Sequence, residues 1–311
     1  MVTVLEVELW VQRFGDELKL LNYAERSVAS YTLEVRRFLR FLEKQGLSQI
    51  SGMTRQHLYA YRNYLSSALH RGRKLKAGSQ AHRLSAVLSF VRALVRLDYL
   101  LVDISHGVEL PRRNASIPRV ILSESETLCL LEGPNVNRLA GLRDRAILEM
   151  LYATGLRNLE LCHLDLADLD PAEGLVLVRN GKGGQDRKVP MGQEAWIWVE
   201  EYLAQCRPQW LSDASEQALF LGRFGKRLAK QDLTMMVARW AKRVGLEKRV
   251  TPHCLRHTCA THMLRRGASL RHLQVMLGHK SVVTTQVYTR VELSDLRKVL
   301  KRCHPRENLT R

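Results

Sequence analysis

Residues 251–262 read TPHCLRHTCATH and contain three histidines, two cysteines and one arginine within twelve positions. Thr251 is a favourable N-cap and a proline follows at the first helical position, so the stretch predicts a helix that begins here. At about 100° per residue, from roughly 3.6 residues per turn, His253, Arg256 and His257 share one helix face. A histidine and an arginine one turn apart at a helix N-terminus can bind and protonate a phosphate.

A zinc site is the alternative interpretation of the same stretch. Cys254 and Cys259 lie roughly 140° apart on the helix, from about 3.6 residues per turn, whereas tetrahedral ligands must converge on one point. The glutamate of an HExxH metalloprotease motif is also missing, because Cys254 occupies its position. The sequence therefore predicts no metal site here and indicates that the cysteines are small buried apolar residues, with His262 in a structural role.

Five further polar residues lie outside this helix. Arg157 and Glu160 follow a glycine in ATGLRNLEL (153–161), a spacing that also suits an ordinary surface ion pair. Lys182 lies in the glycine-rich turn NGKGGQD, which suits a hairpin by turn chemistry alone. Downstream, LGHKSVVTTQVYTR (277–290) contains His279 and Tyr288, and a lone tyrosine is usually a packing residue.

The chain divides into two halves of different pattern. Residues 1–105 show apolar residues three and four apart, predicting an all-helical domain without strands. A linker is predicted over 106–120, which has two prolines and no periodicity. Residues 121–311 predict a mixed domain with helices and two strands, 174–179 and 187–190. The first half carries candidate DNA-binding residues in two basic runs, namely Arg36, Arg37, Arg40 and Lys44, then Arg73, Lys74 and Lys76.

The composition indicates the kind of partner. Lys and Arg number 49 against 31 Asp and Glu, a net charge of +18, which favours a polyanionic partner, most commonly nucleic acid. The six cysteines show no CxxC pair, which favours reduced thiols. No run of 18 apolar residues and no leader pattern occurs, so we expect a cytoplasmic, nucleoid-associated protein with no membrane contact.

The order of the motifs is far more specific than any one of them. ATGLRxxEL, GKGGxxRxVP, PHxLRHTxATHML, LGH and YT follow one another between residues 153 and 290. In this order the sequence resembles the tyrosine recombinase (phage integrase) family, in particular its short, two-domain Xer-like branch. The resemblance implies a mainly α protein: a helical, SAM-like core-binding domain followed by a mixed α+β catalytic domain with a small β-sheet.

The resemblance also implies how a DNA phosphodiester would be cut without a metal or another cofactor. Tyr288 would be the nucleophile and would form a 3′-phosphotyrosine bond, while Arg157 and Arg256 would bind the nonbridging oxygens. Lys182 would protonate the leaving 5′-oxygen. His253 would handle the tyrosine proton, and His279 would hydrogen-bond the phosphate. Glu160 would support and orient the basic residues.

Partners follow from the same resemblance. It implies double-stranded DNA at a specific site and a homotetramer on two DNA sites, with or without a second recombinase or an accessory protein. The helical pattern over about 293–302 would be the C-terminal helix that docks on a neighbouring protomer. Two alternatives stay open: a type IB topoisomerase, against which the LGH spacing and the helical first domain speak, and a DNA-binding protein without catalysis.

Overall fold

The structure is a computed structural model of the 311-residue chain, and it describes residues 6–70, 72–111, 120–179, 186–278 and 293–308. The chain forms two compact units, Met1–Ile117 and Pro118–Arg311. Among the described residues no helix is long and apolar enough to cross a membrane.

The first unit is a bundle of helices around an aromatic core. The rings of Phe14 and Phe90 meet edge to face at 5.4 Å between centroids, and those of Phe38 and Tyr61 at 4.9 Å. These side chains are buried because each helix carries its apolar residues three and four positions apart, which aligns them on one face. The helices of this unit are α1 Val7–Leu20, α2 Glu25–Lys44, α3 Arg55–Ser67 and α4 Ala77–Arg96.

One local prediction for the first unit was wrong. The first 105 residues were predicted to contain no strand, but Leu69–His70 (β1) and Arg73–Lys74 (β2) pair as an antiparallel hairpin. Gly72, with a φ of +75°, supplies the left-handed conformation that the reversal requires. Strands of two residues are too short to show an alternating pattern, so the hairpin left no signal in the sequence.

The second unit is built around α6, whose residues 141–154 are all buried. A three-stranded antiparallel sheet, in the order β3, β4, β5, pairs Leu175 with Pro190 and Val178 with Arg187. The two predicted strands are present, and the additional β3 is again only two residues long. The elements are α5 Glu124–Glu132, α6 Leu139–Thr154, α7 Asn158–Cys162, β3 Leu169–Asp170, β4 Leu175–Val178, β5 Arg187–Pro190, α8 Gln193–Glu201, α9 Arg207–Trp210, α10 Lys230–Arg243, α11 Pro252–Arg265, α12 Leu270–Leu277 and α13 Leu293–Cys303.

The segment after α13 packs into its own unit. His304 is fully buried, and its Nε2 lies 3.3 Å from the carbonyl oxygen of Tyr152. Arg306 donates to both carboxylate oxygens of Glu149, at 2.6 and 3.2 Å, and Glu149 has no exposed surface. A buried carboxylate needs such a partner, so this arginine is strongly fixed.

Candidate active site

Arg157 and Glu160 form the first part of the site, at the junction of α6 and α7. Helix α6 ends at Gly155, whose φ of +61° lets the chain reverse direction directly before Arg157. The backbone N–H of Arg157 donates to Oε2 of Glu160 at 2.8 Å, and its guanidinium donates to Oε1 at 2.6 Å. The Glu160 side chain is only 8% exposed, so this is not the solvated surface pair that the spacing alone would allow.

A second arginine binds the same carboxylate from the sheet. Arg187, the first residue of β5, donates to Oε1 of Glu160 at 3.0 Å and to Oε2 at 2.8 Å. Its Nε also donates to the carbonyl oxygen of Met276 at 3.1 Å. From the residues that the structure describes, Glu160 therefore accepts four hydrogen bonds, two from Arg157 and two from Arg187.

The third arginine comes from α11 and is held by backbone rather than by an acid. Arg256 is 4% exposed, and it donates to the carbonyl oxygens of Gly155 and Leu277, both at 2.6 Å. A Cβ on Gly155 would lie 2.6 Å from the side chain of Leu277, so a glycine is needed for α6 and α12 to approach this closely.

The three arginines, hereafter the arginine cluster, converge on the last turn of α12. Arg187, Arg256 and Arg157 donate to three successive carbonyl oxygens, those of Met276, Leu277 and Gly278, the last at 2.9 Å. Carbonyls at a helix C-terminus lack intrahelical donors and carry partial negative charge, so cations are stabilised there. Three like charges are thereby held side by side at the end of one helix.

The electrostatics of the cluster follow from this packing. Burial alone would raise the pKa of Glu160, but the hydrogen bonds from Arg187 and Arg157 outweigh it and lower the pKa to about 2. Burial and the neighbouring charge of Arg157 lower the pKa of Arg256 to about 10. At neutral pH Glu160 is a carboxylate and all three arginines are charged, so the cluster carries excess positive charge in a partly desolvated site.

His253 lies beside the cluster in the first turn of α11. The predicted cap is present, because the Thr251 hydroxyl accepts from the backbone N–H of Cys254 at 3.3 Å. Partial enclosure of the ring, then the positive charges of Arg256, Lys230 and Arg157, lower the pKa of His253. The lowered pKa favours the neutral imidazole, which is the form that can accept a proton.

His262, Cys259 and Cys254, also in the 251–262 stretch, lie outside the arginine cluster. His262 is buried, with its ring nitrogens 2.8 Å from the Tyr152 hydroxyl and 2.9 Å from the carbonyl oxygen of Leu122. Cys259 is fully buried, which raises the pKa of its thiol to about 12, whereas Cys254 is only half-buried. Among the residues that the structure describes, no group of three or more His, Cys, Asp or Glu side chains could hold a metal ion.

The structure does not cover every predicted site residue. It brings Arg157, Glu160, Arg256 and His253 together from two separate stretches of sequence. Lys182, His279 and Tyr288 lie outside the described residues.

The predicted DNA-binding residues of the first unit have varied surroundings. On α2, Arg36 donates to both oxygens of Glu8 at 2.8 and 3.1 Å, and Arg37 pairs with Glu34 at 2.7 Å. Arg40 lies 3.9 Å from Glu8, so acidic partners offset much of this basic run. The others are exposed, namely Lys44, the β2 residues Arg73 and Lys74, and Lys76, which directly precedes α4.

Arg187 is the site residue that the sequence did not indicate. It lies within the GKGGxxRxVP motif, but an arginine at the start of a strand usually faces solvent. Its neighbour Lys188 is exposed, as alternation along a strand predicts, and the same alternation turns Arg187 inward. That two-residue period is the signal that could have identified it.

Comparison with known proteins gives matches along nearly the whole chain. Residues 121–294 match the family model described as "Phage integrase family", and residues 10–100 match "Phage integrase, N-terminal SAM-like domain". Together with the described elements, these matches confirm the predicted fold: a helical first domain and a mainly helical second domain with a small antiparallel sheet.

Individual relatives match this chain over most of their length. The chain is 36% identical over 297 residues to "Tyrosine recombinase XerC 2" of Ralstonia nicotianae, covering 95% of this chain and 85% of the relative. It is 36% identical over 283 residues to "Tyrosine recombinase XerD" of Staphylococcus saprophyticus, covering 91% and 94%. A solved lambda integrase tetramer bound to a Holliday junction shares the fold, with a TM-score of 0.65, 18% identity, and coverage of 92% of this chain and 80% of that one.

Proposed function

The chain belongs to the phage integrase family of tyrosine recombinases, and on this basis we propose that it is a site-specific recombinase that cuts and rejoins DNA strands through a 3′-phosphotyrosine intermediate. The observation that carries the proposal is the arginine cluster. Three guanidinium groups are fixed in advance by one carboxylate and by the end of α12, so they require little reorganisation when charge develops on a phosphate.

Arg157 and Arg256 are the phosphate ligands in this proposal. A guanidinium has five N–H donors, and each of these two makes two side-chain hydrogen bonds with described residues. Donors remain for the nonbridging oxygens of a scissile phosphate, in the bidentate geometry that arginine favours. This positive charge supplies the transition-state stabilisation for which other nucleases use metal ions, and we propose that the reaction is metal-independent.

The bond changes require one nucleophile and two proton transfers. The Tyr288 oxygen forms a bond to phosphorus, the bond from phosphorus to the 5′-oxygen breaks, and Lys182 gives that oxygen a proton. His253 accepts the tyrosine proton, consistent with its lowered pKa, and His279 hydrogen-bonds the phosphate. The reverse steps with a 5′-hydroxyl from another strand rejoin the DNA, because the phosphotyrosine bond conserves the energy of the broken ester.

The test is capture of the covalent intermediate. Purified protein is incubated with nicked fragments of the DNA of its own genome, then denatured, and the DNA that stays attached to protein is sequenced. We expect one class of sequence, an inverted repeat with arms of about one helical turn. The matched variant Tyr288→Phe removes only the nucleophilic oxygen, and we expect it to bind the recovered duplex without forming any adduct.

Other outcomes decide against the proposal. Tight DNA binding with no adduct at any sequence would support a DNA-binding protein without catalysis. Adducts scattered over unrelated sequences, with relaxation of supercoiled plasmid that lacks the recovered site, would support a type IB topoisomerase. Adduct formation by Tyr288→Phe would mean that another residue is the nucleophile.

Assembly is a further part of the proposal. We propose a homotetramer on two DNA sites, working with or without a second recombinase or accessory protein in the cytoplasm at the nucleoid. Its support is the family and a fold shared with the integrase tetramer. Arg306 follows α13 and pairs with Glu149 of its own chain. If α13 docks on a neighbouring protomer, Arg306 of one chain would instead pair with Glu149 of the other. Crosslinking of a Glu149→Cys, Arg306→Cys pair into dimers only when DNA is present would support this exchange.

A further inference from the structure

Arg187 connects three parts of the second unit at one point. It starts β5, its guanidinium binds both oxygens of Glu160 in α7, and its Nε binds the Met276 carbonyl oxygen at the end of α12. The side chain is 12% exposed, and Glu160 is 8% exposed. An arginine with this geometry is part of the interior, unlike the exposed Lys188 beside it.

The contacts with Glu160 determine how Arg157 is held. Oε1 of Glu160 accepts from the guanidinium groups of both Arg157 and Arg187, so each arginine limits where the carboxylate can lie. Without Arg187 the carboxylate would keep, among its hydrogen bonds to described residues, those to Arg157 and could rotate with it. Arg187 therefore fixes Arg157 indirectly, through their shared acid.

Arg187 also contacts the end of α12, where Arg157 forms a hydrogen bond to the carbonyl oxygen of Gly278. Gly278, whose carbonyl accepts from Arg157, has a φ of +63° and packs against Arg187. A Cβ built on Gly278 would lie 3.1 Å from Nε and Cζ of Arg187, so the guanidinium lies directly against this backbone. The chain continues from here to His279.

We propose that Arg187 is a positioning residue for DNA cleavage: by holding Glu160 and the end of α12 together, it orients the Arg157 guanidinium toward the scissile phosphate. The inference rests on the proposed function. In this role Arg187 acts through Glu160 and α12, and its hydrogen bonds to Glu160 and Met276 occupy three of its five donors.

The geometry requires arginine rather than a positive charge alone. Lysine has one nitrogen and cannot bind both oxygens of Glu160 in parallel while also reaching the Met276 carbonyl. We therefore expect Arg187→Lys to fail almost as completely as Arg187→Gln. The matched control is Lys188→Gln, which removes the same charge from the next residue of the same strand, on its exposed side.

The experiment measures single-turnover adduct formation on the nicked duplex recovered with the wild-type protein, at saturating DNA. Arg187→Lys and Arg187→Gln are expected to slow adduct formation about 10- to 100-fold, as for loss of a group that orients a transition-state donor. Their Kd for the same duplex stays within about twofold of wild type, and Lys188→Gln matches wild type in rate. Thermal unfolding of each variant is measured in parallel.

A substrate change separates positioning from a merely structural role. A methylphosphonate at the scissile position removes the negative charge that Arg157 is proposed to stabilise, so the wild-type advantage over Arg187→Lys should shrink at least several-fold. An equal defect on both substrates, a wild-type rate for Arg187→Lys, or a Kd that weakens in step with the rate would each overturn the inference. Absence of an adduct with wild type would instead overturn the proposed function itself.

Discussion

Two Arg–Glu pairs in this protein have the same chemistry and opposite surroundings. Arg36 binds Glu8 through two parallel hydrogen bonds on the surface of the first unit, where the glutamate side chain is 64% exposed. Arg187 also binds both oxygens of Glu160, through its two Nη atoms, in the second unit, where the glutamate is 8% exposed. Water screens the first pair, and long side chains lose entropy to form it, so it contributes little to stability.

The second pair differs because its surroundings restrict it. Glu160 is shared with Arg157, and the arginines also bind the carbonyls that end α12. Removing either partner would leave charges without a counterpart in a partly buried site, which costs far more than the pair itself contributes. Burial alone does not mark a functional site, since Arg306 and Glu149 also pair in the interior; the Arg187–Glu160 pair differs because it is shared with Arg157.

The largest expected effect is on Arg256. Arg256→Lys retains the charge, but its single nitrogen cannot span the Gly155 and Leu277 carbonyls and also bind a phosphate in a bidentate way, so adduct formation should slow by about 10²–10³. The rate is measured in a single turnover at saturating DNA. Arg265→Lys, an exposed change on the same helix, is the control. A rate for Arg256→Lys within about threefold of the control would show that charge alone is sufficient.

The exposed basic residues of the first unit should act on affinity. Replacing Arg73, Lys74 and Lys76 together by Gln should weaken binding and lower the slope of log K against log salt by about 0.9 for each phosphate that is no longer neutralised. Titration of a labelled duplex at several salt concentrations measures this slope. An unchanged slope would mean that these three residues do not contact DNA phosphates.

Alanine substitutions at Gly278 and Gly245 distinguish the effect of backbone strain from the effect of contact with the arginine cluster. Gly278→Ala and Gly245→Ala both force alanine to a positive φ, +63° and +77°, and should each cost about 1–2 kcal/mol of unfolding free energy. Only Gly278 lies against Arg187, whereas a Cβ on Gly245 meets nothing within 4 Å. We expect cleavage to fall about tenfold in the first variant alone. Equal activity in the two variants would show that this contact has no functional consequence.

The smallest effect is a pH dependence of stability. The folded pKa of Glu160, about 2, lies below its ordinary value of 4.5, so its stabilising contribution is complete above pH 4.5 and is lost as pH falls toward 2. The difference in unfolding free energy between wild type and Glu160→Gln should therefore shrink over this range. Denaturant titrations at about pH 6, 4 and 3 measure it. If the difference in unfolding free energy stays constant with pH, folding does not stabilise the ionised form of the Glu160 carboxyl.

Much of this architecture could be predicted from the sequence because the signals are periodic or ordered along the chain. Apolar spacing predicted the helices, and the order of five motifs predicted the family, which the matches confirm. The two-residue strands β1 and β3 left no such pattern. The placement of Arg256 against the carbonyls of Gly155 and Leu277 could not be predicted from the sequence either, because these partners lie 101 and 21 residues away along the chain.

Arg187 shows the same limit at the site. Its position in a strand can be read from the sequence, but only the folded chain shows that Glu160, 27 residues away, accepts from it. Conversely, the basic run on α2 was predicted to bind DNA, and the structure pairs Arg36 and Arg37 of that run with glutamates. Charge counts along a sequence do not reveal which charges are offset by tertiary neighbours.

The most direct test makes the same substitution in both Arg–Glu pairs. Glu160→Gln and Glu8→Gln each remove one carboxylate from an arginine, and adduct formation is measured for both on the recovered duplex at saturating DNA. We predict that Glu160→Gln slows the reaction about 10- to 100-fold while Glu8→Gln leaves the rate within about twofold of wild type. Equal rates for the two variants would contradict the claim that the buried cluster, and not basic charge in general, prepares this protein to cut DNA.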